Sequence, residues 1–108
     1  MFLLKPSRTH GIGVFTTRAI PSGARLALFD PTDWRLMRDP KGEELALCRR
    51  FGVQEGDAFH CPKRWNRMSI GWYLNHSILP NVRIIGMAAR ASRAIRAREE
   101  LTVDYRVL

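Results

Sequence analysis

The residues best suited to chemistry on a bound molecule fall in three separated stretches. Asn75, His76 and Ser77 lie in WYLNHSILPN, directly after the aromatic-apolar run Trp72-Tyr73-Leu74 and just before a chain break at Pro80-Asn81. Groups of this kind need hydrogen-bond partners if they are buried beside such a run. HGIGVF places Gly11 and Gly13 close together, where bare backbone can touch a ligand. Position 16 is Thr16, so the dinucleotide fingerprint GxGxxG is not met. Tyr105 lies near the end of ELTVDY, and its phenol is a compact hydrogen-bonding group that stays neutral at pH 7. Taken singly, each stretch also reads as ordinary structure: a strand with a tight bend, a packed core histidine, a half-buried strand aromatic. Cys48 and Cys61 alone cannot supply a four-ligand zinc site, and no Ser-His-Asp set suggests itself.

The elements that must position these residues are mostly short strands. FLLK at 2–5 and GIGVFTT at 11–17 read as strands, IPSG at 20–23 as a turn, and ARLALF at 24–29 as a further strand. DPTDW and RDPKG read as loops built around prolines. EELALCRRF, from Glu43 to Phe51, predicts the main helix, with acids first, arginines last and Gly52 just beyond. NRMSIGWYL predicts a short second helix stopping at Asn75. NVRIIGM returns to strand, and ELTVDY at 100–105 is the last β run.

With 108 residues, 45% of them hydrophobic, the chain suits one domain, residues 1–108, with a real core. No apolar run approaches the ~20 residues of a membrane span, and MFLLKPSRTHG lacks a signal-peptide pattern. A cytoplasmic location with free thiols is therefore expected, with a nuclear or nucleoid-associated one as the alternative. The net charge of +8 comes mostly from arginines spread along the chain. That spread reads as a solvated surface or as a stripe for nucleic acid or another polyanion.

Order and spacing together add what the single motifs lack. The chain resembles the SET domain family of protein-lysine methyltransferases over nearly its whole length. SRTHGIGVFTTRAIPSGARL is similar to that family's opening, WYLNHSILPN to its NHS…PN motif, and ASRAIRAREELTVDY to its closing segment. The resemblance implies a mostly β, SET-type (β-clip) fold of short sheets. One or two short helices and a knot-like C-terminal crossing go with it, an exception to the usual avoidance of threading. It further implies the cofactor S-adenosylmethionine and a protein substrate with a target lysine. By position, the backbone around Gly11, Ile12 and Gly13 would hold the methionine part of the cofactor, Asn75 would bond its amino-acid end, and His76 would contact the adenine, largely through backbone atoms. Tyr105 would stand beside the transferred methyl, and Asn81 would tie the crossing together.

The pattern also departs from the family. Trp72 stands where arginine is frequent, Ile84 where a channel tyrosine is frequent, and Arg98 where the closing segment often has glycine. Many members carry a C-terminal segment that completes the channel, whereas this sequence ends three residues after Tyr105. Residues 30–67, with Trp34, Phe59 and Trp65 as channel-wall or packing aromatics, or a second subunit in a homodimer, are expected to compensate. Glu99, Glu100 and Asp104 suggest an acidic mouth beside Tyr105. The competing reading is a catalytically silent SET-like module that uses its basic face to hold nucleic acid or an acidic protein.

Overall fold

The computed structural model describes residues 1–107 and folds them into three small sheets. The opening hairpin pairs β1 (Phe2–Pro6) antiparallel with β2 (Ile12–Thr16), Leu4 opposite Val14. β3 (Arg25–Leu26) is the short outer strand of a second sheet. β4 (Trp34–Arg38) begins the third sheet and leads to α1 (Gly42–Phe51), which carries Glu43 and Glu44 in its first turn and Arg49 and Arg50 in its last. This is the charge order that complements a helix dipole. β5 (Val53–Glu55) and β6 (Ala58–Pro62) complete the sheet in the order β4-β6-β5.

A single 3₁₀ turn, Ile70–Tyr73, stands where a second helix is expected. β7 (Asn75–His76) follows, then the hairpin of β8 (Val82–Ile85) and β9 (Ala88–Ala91), which forms the second sheet with β3. The closing strand β10 (Glu100–Val103) inserts between β2 and β7, antiparallel to the first and parallel to the second. The expected strand at 24–29 shrinks to two residues. Trp34–Arg38, whose two end residues read as loop, becomes a strand because its pairing with β6 satisfies its backbone. Among the described residues, no helix is long and apolar enough to cross a membrane.

Two cores hold these layers. The larger gathers Val14, Leu28, Leu74, Val82, Ile95, Leu101 and Val103 from the first two sheets and the segments between them. The smaller packs Cys48 of α1 on Phe59 and Cys61 of β6, with Met37, Leu45 and Trp65 around them. Phe59 and Trp65 are therefore packing residues, and Trp34 lies edge-on to His60 at 5.1 Å. None of the three lines the clefts described below.

The crossing is made by the segment from β7 to β8 and the closing strand. The Ser77 N–H donates to the Val103 carbonyl at 2.9 Å and the Asn81 N–H to that of Thr102 at 3.3 Å. Asn81, only 1% exposed, binds the strand with both ends of its amide. Its Oδ1 accepts from the Thr102 N–H at 2.9 Å, and its Nδ2 donates to the Glu100 carbonyl at 2.8 Å and to Glu99 Oε2 at 3.1 Å. A side chain with a donor and an acceptor at fixed separation suits a backbone that another strand cannot reach.

Candidate active site

Crossing the chain at β7 and β10 brings the N-terminal bend, the NHS segment and Tyr105 to one cleft. It has a volume of about 470 Å³ and is lined by His10, Gly11, Ile12, Arg50, Phe51 and Trp72 through Asn75, with Tyr105. A volume of this size lies within the ~300–1,000 Å³ typical of small-molecule sites. A narrower, 130 Å³ pocket continues from it. Phe29, Phe51, Trp72, Leu74, Ile84 and Val103 give it an apolar wall, with the polar groups of Arg49, Arg50 and Tyr105 also lining it. Arg50, Phe51, Trp72, Leu74 and Tyr105 border both spaces.

The N-terminal bend owes its shape to glycine. Gly11 has φ +48°, the left-handed region that side chains resist. At Gly13 the reason is space: an added Cβ would sit 2.2 Å from Glu100 Oε2 and 3.2 Å from Asn75 Nδ2. Gly13 itself is buried in β2 and is not among the cleft-lining residues. Its missing side chain makes room for a polar knot beneath the bend. Asn75, 7% exposed, donates from Nδ2 to the carbonyls of His10 at 3.0 Å and Ile12 at 3.3 Å, and to Glu100 Oε2 at 2.9 Å. Glu100 Oε1 accepts from the Ser7 hydroxyl at 2.7 Å. Among the described residues, the side-chain hydrogen bonds of Asn75 all run through Nδ2, which leaves Oδ1 as the atom it can offer a ligand.

Tyr105 opens a second 3₁₀ turn, Tyr105–Val107. Its hydroxyl donates a hydrogen bond to the Leu74 carbonyl, which ties the phenol to the segment before β7. Burial of the hydroxyl raises its pKa and keeps it neutral. His76 supports the same residue from behind. Its Nδ1 accepts from the Tyr105 N–H at 3.0 Å, and the two rings stand 5.2 Å apart. That contact places the proton of the neutral imidazole on Nε2. His76 does not line the cleft, so its side chain acts by positioning Tyr105.

The acidic mouth does not form. Glu99 takes hydrogen bonds from Asn81, Arg93 and the Arg96 N–H. Burial alone would raise its pKa, but these bonds together lower it. Glu100 is committed to Ser7 and Asn75. Asp104 is gripped by Arg106 through Nε at 2.9 Å and Nη2 at 2.7 Å, which with the Arg106 N–H lowers its pKa to about 2. Each carboxylate serves the scaffold.

Sequence reasoning missed Phe29, Arg50 and Phe51 as site residues and Glu100 as the partner of Asn75. The signal for α1 was legible: its C-terminus must end near something, and Phe51 meets Tyr73 edge-on at 6.0 Å. The aromatic walls come instead from Phe29 and Trp72, whose rings stand 5.0 Å apart. One polar atom here is orphaned: the Trp72 indole N–H is buried without a partner.

Comparison with known proteins fits this geometry. The sequence profile of the SET domain matches residues 11–106, so the chain belongs to the SET domain family, a family of methyltransferases. Solved structures with the same fold include one from Plasmodium falciparum, described as a candidate histone methyltransferase. It is 18% identical, with a TM-score of 0.67 over 97% of this chain and 96% of that one. At that identity the likeness speaks for the SET-type fold. No curated protein matches the sequence.

Proposed function

We propose that this chain is an S-adenosylmethionine-dependent protein-lysine methyltransferase. The observation that carries the reading is that Tyr105 lines both a cofactor-sized cleft and a smaller pocket walled in part by Phe29, Trp72, Leu74, Ile84 and Val103. The cleft offers a fitting donor set: backbone at Gly11 and Ile12, Oδ1 of Asn75 for an ammonium, and aromatic faces from Phe51 and Tyr73. Bound there, the cofactor supplies an electrophilic methyl group on a sulfonium.

The chain's own residues address what remains. A lysine with pKa near 10.4 is neutral in about one molecule per thousand at pH 7.4, a handicap of roughly 4 kcal/mol. Phe29, Trp72, Leu74, Ile84 and Val103 desolvate an entering amine and so favour its neutral form. Arg49 and Arg50 disfavour the ammonium further by like charge. Tyr105 is held by Leu74 through its hydroxyl and by His76 through its N–H, which fixes the phenol at the place of transfer. Alignment of this kind can supply roughly 7–11 kcal/mol.

The test pairs calorimetric titration of S-adenosylmethionine with transfer of its labelled methyl to lysine-containing proteins in a cell lysate. Cofactor binding, lysine labelling and a loss of about a hundredfold in Tyr105→Phe are expected. Folding should survive that change with a loss of about 1 kcal/mol for one hydrogen bond. A protein that binds no cofactor and labels nothing, while holding acidic proteins or nucleic acid, would be the silent module instead.

A further inference from the structure

The mouth of the narrow pocket has a charge that the chain leaves unanswered. Of its lining residues, Gly71, Trp72, Leu74 and Val103 are buried, and Phe29, Phe51, Gly52, Val53 and Ile84 half-buried. Arg49, Arg50 and Tyr105 are the exposed ones, so the opening lies between the end of α1 and the Tyr105 turn. None of the ten acidic side chains lines either this pocket or the adjoining cleft. Among the described residues, Arg49 and Arg50 take part in no salt bridge, although Arg35, Arg93 and Arg106 do. Arg50 lies over the Phe51 ring at 5.3 Å, a contact that orients the guanidinium without cancelling its charge. The α1 C-terminus contributes only about half a negative charge, which leaves roughly one and a half positive charges at the opening. The nearest acids in sequence to Tyr105, namely Glu99, Glu100 and Asp104, are already spent on internal partners.

We propose that the lysine taken up here lies in an acidic stretch of its protein, whose Asp or Glu side chains pair with Arg49 and Arg50. The inference rests on the lysine-methyltransfer reading and names its substrate class. A basic tail meets repulsion both at the mouth and from a chain of net charge +8. An acidic flank removes that penalty and brings the lysine to the pocket, where Phe29, Trp72, Leu74, Ile84 and Val103 desolvate it and disfavour its ammonium.

Binding separates this from the enzymatic reading. Fluorescence anisotropy compares two labelled peptides with one central lysine, flanked by Asp and Glu in one and by Lys and Arg in the other. The acidic peptide should bind roughly tenfold more tightly at low salt and lose most of that advantage at high salt. Arg49→Gln should reduce the preference, and Arg49→Glu with Arg50→Glu should reverse it; both positions are exposed, and circular dichroism of each variant checks that α1 tolerates the change at its last turn. Equal binding of both peptides, or a preference surviving in the double variant, overturns the proposal. So does duplex DNA that displaces the acidic peptide and depends on the same arginines. Methyl transfer to both peptides at equal rates would overturn it while leaving the enzyme standing. Acid-selective binding with no transfer to any lysine would uphold the charge assignment and remove the enzyme.

Discussion

Asn81→Ala tests the crossing that builds the site. The substitution removes three hydrogen bonds at once, to the Thr102 N–H, the Glu100 carbonyl and the Glu99 carboxylate. Each is worth about 1 kcal/mol net, and stranding a buried backbone group costs about 1–3 kcal/mol. With Asn81 1% exposed, water cannot step in without opening the fold, so the loss should reach about 3–5 kcal/mol. That is a large share of the ~5–15 kcal/mol that holds a domain together. At roughly 4–8 °C per kcal/mol for a chain of this size, the midpoint should fall by at least ~12 °C. Thermal and urea unfolding followed by circular dichroism and by the fluorescence of the three tryptophans would measure it. Asn66→Ala, at an exposed asparagine, serves as the control and should stay within about 0.5 kcal/mol. A loss below ~1 kcal/mol in Asn81→Ala, with an unchanged urea slope, would show that the closing strand is held by something other than this amide.

Three further outcomes follow from single sites. Arg98 adopts φ +71°, while its N–H donates to the Thr16 carbonyl at 2.7 Å. Arg98→Gly keeps that bond, relieves the strain and should raise stability by about 0.5–1 kcal/mol, read from the thermal midpoint; a drop would refute the strain argument. Burial pushes the Cys48 thiol up to about 11 and raises Cys61 as well, so neither should react with a thiol reagent at pH 8 until the chain unfolds. Fast labelling of the native protein would contradict the packing of the smaller core. Asp104 is held near 2, below its unfolded value of about 3.9, so its contribution is present above pH ~4 and vanishes as pH falls toward ~2. An acid titration of stability should lose this component in Asp104→Asn, and an unchanged profile would count against the Arg106 clasp.

Much of the architecture was legible because its signals are local. The opening hairpin, α1 and the closing strand lie within a residue or two of the stretches that alternation, helix-end charges and Gly52 pick out. The third sheet was not legible. Arg35, Leu36, Met37 and Arg38 alternate poorly, and their strand exists because β6 lies opposite, Met37 across from Phe59. The second helix failed because Ile70–Tyr73 must end against Phe29: a Cβ on Gly71 would meet that ring at 2.7 Å. Of the expected site residues, Gly11, Ile12, Asn75 and Tyr105 meet at the cleft, while Gly13 and the His76 ring stand behind it. Periodicity could not give that division, which depends on which face of a bend another segment covers. The acidic cluster misled for the same reason, since sequence shows three carboxylates and hides their partners.

Within the chain, the polar trio beside an apolar run finds partners at the bend, at Tyr105 and on the crossing strand. Asn75 spends its amide hydrogens on the His10 and Ile12 carbonyls and on Glu100, and His76 spends Nδ1 on Tyr105. The Ser77 backbone bonds to Val103. A trio satisfied by a ligand would leave these atoms orphaned in the bare chain, and each would cost about 1–3 kcal/mol. They are not orphaned, so the bend and the phenol are held in place before anything binds, which is the condition for alignment to speed a reaction. The unmet demand has moved one turn back, to the indole N–H of Trp72. Trp72 and Arg50 both line the cleft, so the indole N–H is neutral where the guanidinium nearby is charged.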